Sequence, residues 1–252
     1  MRNFKFKLWL ILAFIGLTGV ASLLLSDLSL GNLPPEVTEQ IPMETLKFLM
    51  LINPAVLVLI ATTIGTILYD KVNLSVPLFE KLFDKRGTSS FSLKGIIVEG
   101  IVLGVLAGIA ILAVAYFFKP YLPQVLLDSS DNARLNLITK LLYGGVTEEL
   151  LCRFGLMTLF VWVLYKIFKS LNAAVFWSAN FLSAVLFAVG HLPMVFQLVT
   201  DVSFPVYAYV ILGNSIGGLL FGYAYWKRGL ESAFMAHAFT HLTMVGVNLV
   251  FS

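Results

Sequence analysis

Two adjacent carboxylates and a guanidinium stand inside an apolar stretch of this 252-residue chain. The segment reads Glu148-Glu149 and, after three further residues, Arg153. A charge at the centre of a membrane helix costs on the order of 3 kcal/mol on insertion scales, so such residues are functional candidates by default. One helical turn separates Glu149 from Arg153 and lets them pair, whereas Glu148 is offset by about 100°. We therefore expect one glutamate to be structural and the other free to react.

All three histidines of the chain lie in or beside apolar stretches. His237 and His241 are four residues apart, so on a helix they share one face. Asn180 and His191 are eleven residues apart, about three helical turns, and are expected to share a face in the same way. A lone membrane histidine often only hydrogen-bonds a neighbouring helix. Three of them beside two glutamates indicate chemistry.

Several kinds of chemistry fit these residue types. Glutamate and histidine together can take a proton from water, and further imidazoles can stabilise an oxyanion. The same residues could hold zinc, because two histidines four residues apart present two ligands on one side of a helix. A proton relay in a transporter or channel would also use buried ionisable groups. A structural ion network without any reaction is the remaining alternative.

The composition is that of a membrane protein. Hydrophobic residues make up 59% of the chain and charged residues 12%, against about 45–50% and 25% in soluble domains. The net charge of +3 does not indicate a nucleic-acid partner, because the basic residues lie at the ends of apolar stretches. The single cysteine, Cys152, excludes an internal disulfide framework.

The apolar stretches predict an all-α, polytopic membrane helical bundle of seven to eight transmembrane helices. Each stretch approaches the roughly 20 residues that cross a bilayer. We interpret the first as a retained span, since it exceeds the ~7–15 apolar residues of a signal peptide. An eighth, re-entrant or amphipathic element is left open within 119–140. The predicted spans are 8–25, 46–69, 95–118, 138–165, 173–192, 206–226 and 230–251.

Basic residues are distributed unequally between the two sides of this topology. Twelve lie on the side of the N-terminus and four on the opposite side, with Arg153 left out because it is within a span. Lysine and arginine concentrate on the cytoplasmic side. We therefore predict a multi-pass protein of the cell membrane with its N-terminus in the cytoplasm and its C-terminus outside.

Small residues recur at helical spacing in the third and sixth spans. Gly100, Gly104 and Gly108 are spaced by four, as are Gly213 with Gly217 and Gly218 with Gly222. Such spacing lets helix backbones approach closely in lipid. We interpret all of these glycines as packing residues.

In this order, on successive spans, the polar residues resemble the CAAX-prenyl-protease-like intramembrane peptidases (the CPBP or Abi family). The family's Glu-Glu-x-x-x-Arg motif is present as Glu148, Glu149 and Arg153, and its Phe-x-x-x-His motif as Phe187 and His191. Its last motif, a histidine followed four residues later by asparagine or a similar residue, is present as His237 with His241. The segment 217–229 also resembles the family's approach to that motif. The resemblance covers roughly residues 135–250.

The resemblance implies an intramembrane endopeptidase that hydrolyses a membrane-associated or lipid-modified peptide. Glu148 with His191 would activate the attacking water, His237 and His241 would stabilise the oxyanion, and Glu149 with Arg153 would hold the site together. We assign Phe187 and Asn180 to substrate binding. The family would also favour a cavity open to the cytoplasm, which the sequence does not establish.

His241 departs from the family pattern, where asparagine is common. An imidazole can donate a hydrogen bond there and can also bind a metal. We favour a mechanism without metal or other cofactor. In a metallopeptidase, the zinc ligands would be Glu148, His191, His237 and His241.

We divide the chain into N-terminal transmembrane helices without a recognised motif, 1–130, and a CAAX-protease-like catalytic membrane domain, 131–252. The expected partners are a membrane peptide or protein substrate and the lipid bilayer. The alternatives are a proton-coupled transporter and a catalytically inactive peptide-binding scaffold.

The predicted depth of His191 in the membrane does not match that of the other site residues, because His191 falls near the end of its span while Glu148 and His237 lie deeper. Either the fifth helix runs on toward Pro193, or the boundaries are displaced, or a helix is missing.

Overall fold

A computed structural model describes residues 2–26, 40–83, 92–131 and 136–251, in which every regular element is helical. Seven helices are long and apolar enough to cross a membrane, which confirms the predicted bundle and shows a multi-pass membrane protein. Each predicted span overlaps one of them. In chain order these first to seventh spans are Asn3–Leu25, Met43–Val72, Leu93–Tyr121, Leu137–Phe168, Ala173–Phe196, Phe204–Arg228 and Leu230–Val250.

Short helices and tight turns extend or connect the spans. The first three spans end in 3₁₀ turns at Leu23–Leu25, Tyr69–Val72 and Lys119–Tyr121. Short helices cover Pro77–Phe83 and Gln124–Asp131. The second of these lies within 119–140, where an additional element was left open, and its eight residues are too few to cross a bilayer.

The fifth span runs to Phe196, but its helix is interrupted. The α-helix covers Ala173–Val189, and a second short helix, Leu192–Phe196, follows after a turn. The span thus continues past Pro193, as in the first of the three explanations for the position of His191, but the α-helix itself ends at Val189. His191 lies in the turn between the two helical segments.

One hydrophobic core joins the N-terminal spans to the spans that carry the motifs. Leu8 of the first span and Val72 of the second belong to the same buried cluster as Leu150 of the fourth. The Thr147 hydroxyl donates a hydrogen bond to the Gly16 carbonyl, 2.9 Å away. The division at residue 130 therefore describes where the motifs lie, and it stays a prediction as a domain boundary.

The third and seventh spans pack closely through the predicted glycines. A Cβ atom at Gly100 would lie 2.6 Å from Met235 Cβ, and one at Gly108 would lie 2.7 Å from Thr243 Cβ. Gly213 was predicted wrongly as a packing residue. No described atom lies within 4 Å of its Cβ position, because it lines an internal cavity instead.

Candidate active site

The fourth span, which carries both glutamates, is a widened helix over much of its length. Lys140–Glu148 and Leu150–Met157 follow the i→i+5 hydrogen-bond pattern of a π-helix. Such turns usually occur singly and are frequent at functional sites. A widened turn changes which side chains share a face of the helix. The contacts of each side chain, and not the periodicity of an ideal α-helix, therefore show which way it faces.

Glu149 is fully buried and contacts two nitrogen-bearing side chains. Its Oε1 atom lies 3.3 Å from Arg153 Nη1 and 2.8 Å from His237 Nδ1. The predicted pair between Glu149 and Arg153 is therefore confirmed. Arg153 is also buried, and its guanidinium lies over the rings of Phe187 and Phe221, 4.8 and 5.4 Å from their centroids. These cation–π contacts stabilise a charge that has no access to water.

The contact with Glu149 orients the ring of His237. A carboxylate accepts hydrogen bonds and cannot donate them, so an ionised Glu149 receives the proton on His237 Nδ1. In the neutral ring, Nε2 then carries a lone pair. The ring of Phe221 stacks on His237 at 4.4 Å between centroids and fixes its plane.

Glu148 faces the cavity rather than the core. Its side chain is 20% exposed, whereas that of Glu149 is 0% exposed. Glu148 Oε2 lies 3.8 Å from His237 Nε2. This separation is too long for a direct hydrogen bond. The two adjacent glutamates thus have the different surroundings that the spacing predicted.

His191 is oriented by the end of the helix that carries it. Its Nδ1 atom lies 2.8 Å from the Phe187 carbonyl oxygen. Because a carbonyl only accepts, Nδ1 carries the proton, and Nε2 of the neutral ring is free to accept a hydrogen bond. The ring packs edge-on against Phe187, 4.7 Å between centroids.

His241 lies beside His237 and opposite a glycine of the fourth span. The two imidazoles are stacked with centroids 4.9 Å apart. A Cβ atom at Gly144 would lie 2.5 Å from His241 Nε2. Only a glycine at this position leaves room for His241 in its present orientation.

One cavity of about 280 Å³ inside the bundle is lined by Glu148, His191, His237 and His241. Lining side chains come from the third, fourth, fifth, sixth and seventh spans. Its polar lining comprises Lys140, Tyr143, Glu148, His191, Tyr209, Asn214, His237, Thr240 and His241. Its apolar lining includes Ile111, Phe187, Met194, Val210, Phe221 and Met244. A cavity of this kind can hold a largely apolar ligand and bring water to a carboxylate.

Comparison with known protein families points to the same spans. The family model described as Type II CAAX prenyl endopeptidase Rce1-like matches residues 130–243. The match covers 114 of the 252 residues, a little less than half of the chain. It includes all three motifs on which the resemblance was based, from Glu148 to His241. No curated protein and no solved structure matches the chain.

The Rce1-like segment contains further cavity residues that the sequence analysis did not select. Tyr143 was treated as part of an apolar span. Lys140 was counted among the basic residues opposite the N-terminal side, although a lysine within the predicted span 138–165 is itself a signal. Gly144 belongs to a Gly-Gly pair that could have suggested a close approach. Phe221 lies in the segment 217–229 that resembles the family, but nothing in the spacing of Phe221 or Asn214 distinguishes them from packing residues.

Asn180 does not line the cavity of the Rce1-like segment. It is fully buried, and its side-chain amide donates to the Leu219 carbonyl, 2.9 Å away. The expected shared face with His191 is not continuous, because the helix ends at Val189 between the two. Phe187, the other residue assigned to substrate binding, does line the cavity. Both assignments stay predictions.

The site residues are not arranged as a metal centre. Within the described parts of the chain, no three His, Cys, Asp or Glu side chains are grouped so that they could hold a metal ion. Glu148, His191, His237 and His241 therefore do not form such a group in this geometry.

Proposed function

We propose that this protein is an intramembrane endopeptidase that hydrolyses a peptide bond by means of water activated by Glu148. The observation that carries the proposal is the cavity onto which Glu148, His191, His237 and His241 all open. It lies among membrane spans, within the segment that the Rce1-like family model matches.

Water would bind beside Glu148 Oε2, which lies 3.8 Å from His237 Nε2. Glu148 takes one proton as the water oxygen forms a bond to the scissile carbonyl carbon. His191 Nε2 accepts a hydrogen bond from the same water and orients it. The C–N bond then breaks, the proton passes to the leaving amine, and the products are a carboxylic acid and an amine.

His237 and His241 would stabilise the tetrahedral oxyanion. His241 can donate from a ring nitrogen. His237 can donate from Nε2 only when it is protonated, because its Nδ1 proton already binds Glu149. A carboxylate behind a histidine favours such an imidazolium, as in serine protease triads. Glu149 and Arg153 hold this arrangement and do not touch the substrate.

We infer that the substrate is a membrane-associated or lipid-modified peptide, as the family description of a prenyl endopeptidase suggests. The apolar wall formed by residues such as Met194, Val210 and Met244 suits a hydrophobic segment. The proposal assigns no cofactor.

The test is comparative proteomics of membranes that contain either the wild-type protein or Glu148→Gln. The amide keeps the shape of the side chain and cannot accept the proton, so cleavage should fall by about 10²–10⁴-fold. Specific peptide products should disappear while the variant remains inserted at normal abundance. His191→Ala should lose the same products.

Glu99→Gln is the matched control, because it makes the same change on the third span outside the cavity, where Glu99 pairs with Arg228. It should keep every product. Identical peptide profiles in wild type and Glu148→Gln would overturn the proposal. A Glu148→Gln variant with unchanged peptides and altered proton flux would favour the transporter instead.

A further inference from the structure

A lysine lines the cavity but takes no part in the proposed hydrolysis. Lys140 lines the same cavity as Glu148 and is only partly exposed. Among the described residues, the Lys140 side chain has no hydrogen bond or ion pair. Lysines near span ends often reach out to the interface, but the Lys140 side chain borders the internal cavity.

The fourth and seventh spans run antiparallel, and their contacts place Lys140 along the cavity. Glu148 faces His237 at the deep end, and Gly144 faces His241 one step outward. Lys140 lies one further step outward and shares the lining with Met244. Eight residues separate Lys140 from Glu148, which is at most roughly 12 Å along the helix axis, because a widened helix rises less than the ~1.5 Å per residue of an α-helix.

Gly144 lies between these two charged residues, and the ring of His241 fills the space that a side chain at this position would take. Lys140, Gly144 and Glu148 all line the cavity. Because Lys140 and Glu148 line one cavity, a peptide that passes beside the His241 ring can place its scissile carbonyl at Glu148 and a group further along its chain at Lys140. The other spans contribute His191, His237 and apolar residues to the lining.

We propose that Lys140 is a positioning residue that binds an anionic group at the outer end of the cavity, on one side of the bond to be cleaved. This inference rests on the proposed function. An ammonium group in a partly apolar cavity binds a carboxylate or a phosphate as a compact point charge. The anion is either the terminal carboxylate of the peptide substrate or the phosphate of a lipid headgroup.

The experiment measures binding to the full-length Glu148→Gln protein in uncharged detergent, so that turnover cannot consume the probe. The probes are N-lauroyl-trileucine with a free carboxylate and the same compound as its amide. A hydrogen bond to a charged group contributes about 1.5–3 kcal/mol, so the acid should bind about 10- to 100-fold more tightly than the amide. Lys140→Met should remove this difference, and Lys140→Arg should keep most of it.

Lys119→Met is the matched control, since Lys119 is exposed at the end of the third span on the same side of the bundle and does not line the cavity. It should leave the preference for the acid unchanged. Two outcomes would overturn the inference. One is equal binding of the acid and the amide to the Glu148→Gln protein that retains Lys140, and the other is a preference for the acid that survives in Lys140→Met.

A second arm identifies the source of the anion. In nanodiscs, phosphatidylglycerol should not compete with the acid probe if the peptide carboxylate is the ligand. Competition that disappears in Lys140→Met would assign the site to a lipid phosphate. These measurements record binding and not cleavage, so they can support the anion site at Lys140 even if the proteomic test of Glu148 fails. The failure of one proposal is therefore distinguishable from the failure of the other.

Discussion

Glu148 and Glu149 are neighbours in the chain with separate tasks, because only one of them reaches the cavity. Glu149 is enclosed with Arg153 and His237, and a buried charge of this kind is tolerated only while its partners remain. Glu148 has room beside it for water. Glu149 thus stabilises the fold, whereas Glu148 is proposed to activate water.

Arg153→Ala should lower the abundance of folded protein. Removing the guanidinium leaves Glu149 without its partner in the core, and breaking a buried pair costs about 3–5 kcal/mol. Yield and monodispersity of the detergent-purified protein measure the effect. Arg228→Ala removes an arginine from an exposed pair with Glu99, which costs about 0–1 kcal/mol, and should be tolerated. Equal yields for both variants would contradict the structural role of Arg153.

His241→Asn should be tolerated best among the site substitutions. Asparagine keeps a hydrogen-bond donor and is the residue that the resemblance leads us to expect there. Turnover and bound-metal content of the purified variant should be measured together. An active variant without stoichiometric metal supports the glutamate mechanism. If it is inactive and has lost a zinc ion carried by the wild type, the enzyme is a metallopeptidase.

At the scale of elements, the site depends on how closely the fourth and seventh spans approach. Gly145 lies against Ala238, and the neighbouring Gly144 lies against His241. Glycine permits such an approach because it has no side chain between the backbones. The interrupted fifth span adds His191 from the other side, since a continuous helix would keep the Phe187 carbonyl for its own backbone bond.

Gly144→Ala should reduce activity by about 100-fold with little loss of folded protein. The added methyl group would lie 2.5 Å from His241 Nε2, so the imidazole must shift, and misplacement by about 1 Å can cost 10²-fold in rate. The end of a side chain moves more easily than a backbone, which spares stability. Gly246→Ala is the control, because no described atom lies within 4 Å of that Cβ position. Full activity in Gly144→Ala would show that activity does not depend on the present position of the His241 imidazole.

At the scale of the molecule, the cavity lies in the half of the bundle away from the N-terminus. Lys140 is three residues from the start of the fourth span, and His191 is five residues from the end of the fifth. These two ends lie on the side where the first span ends, opposite to the side rich in lysine and arginine. The charge distribution and the family expectation of a cytoplasmic cavity therefore disagree for this chain.

We predict that the N-terminus is cytoplasmic and that the cavity opens to the outside, because the twelve-to-four distribution of basic residues is a strong topological signal. Single cysteines at Asp84, which lies outside the described residues, and at Ser203 would report the two sides in a Cys152→Ser background. An impermeant maleimide should label Ser203→Cys in intact cells and Asp84→Cys only after permeabilisation. The reverse labelling would place the cavity on the cytoplasmic side and invert the topology.

The sequence by itself determined the class of the protein and the seven spans, and it selected Glu148, His191, His237 and His241, which line the cavity. Long apolar stretches identify membrane helices because every backbone polar group in lipid must be paired within the helix. Charges inside such stretches are costly enough to mark Glu148, Glu149 and Arg153 without any contact being known. The pair between Glu149 and Arg153 could also be predicted, since residues four apart meet on one helix.

Only the tertiary structure decided how these residues divide their work. The contact of His237 with Glu149 joins residues 88 positions apart, and no local pattern encodes such a distance. The turn that frees His191, the absence of Asn180 from the cavity, and the presence there of Lys140 and Gly213 follow from how the spans pack. Helical periodicity shows which residues share a face, but the packing of neighbouring helices decides whether that face meets lipid, core or cavity.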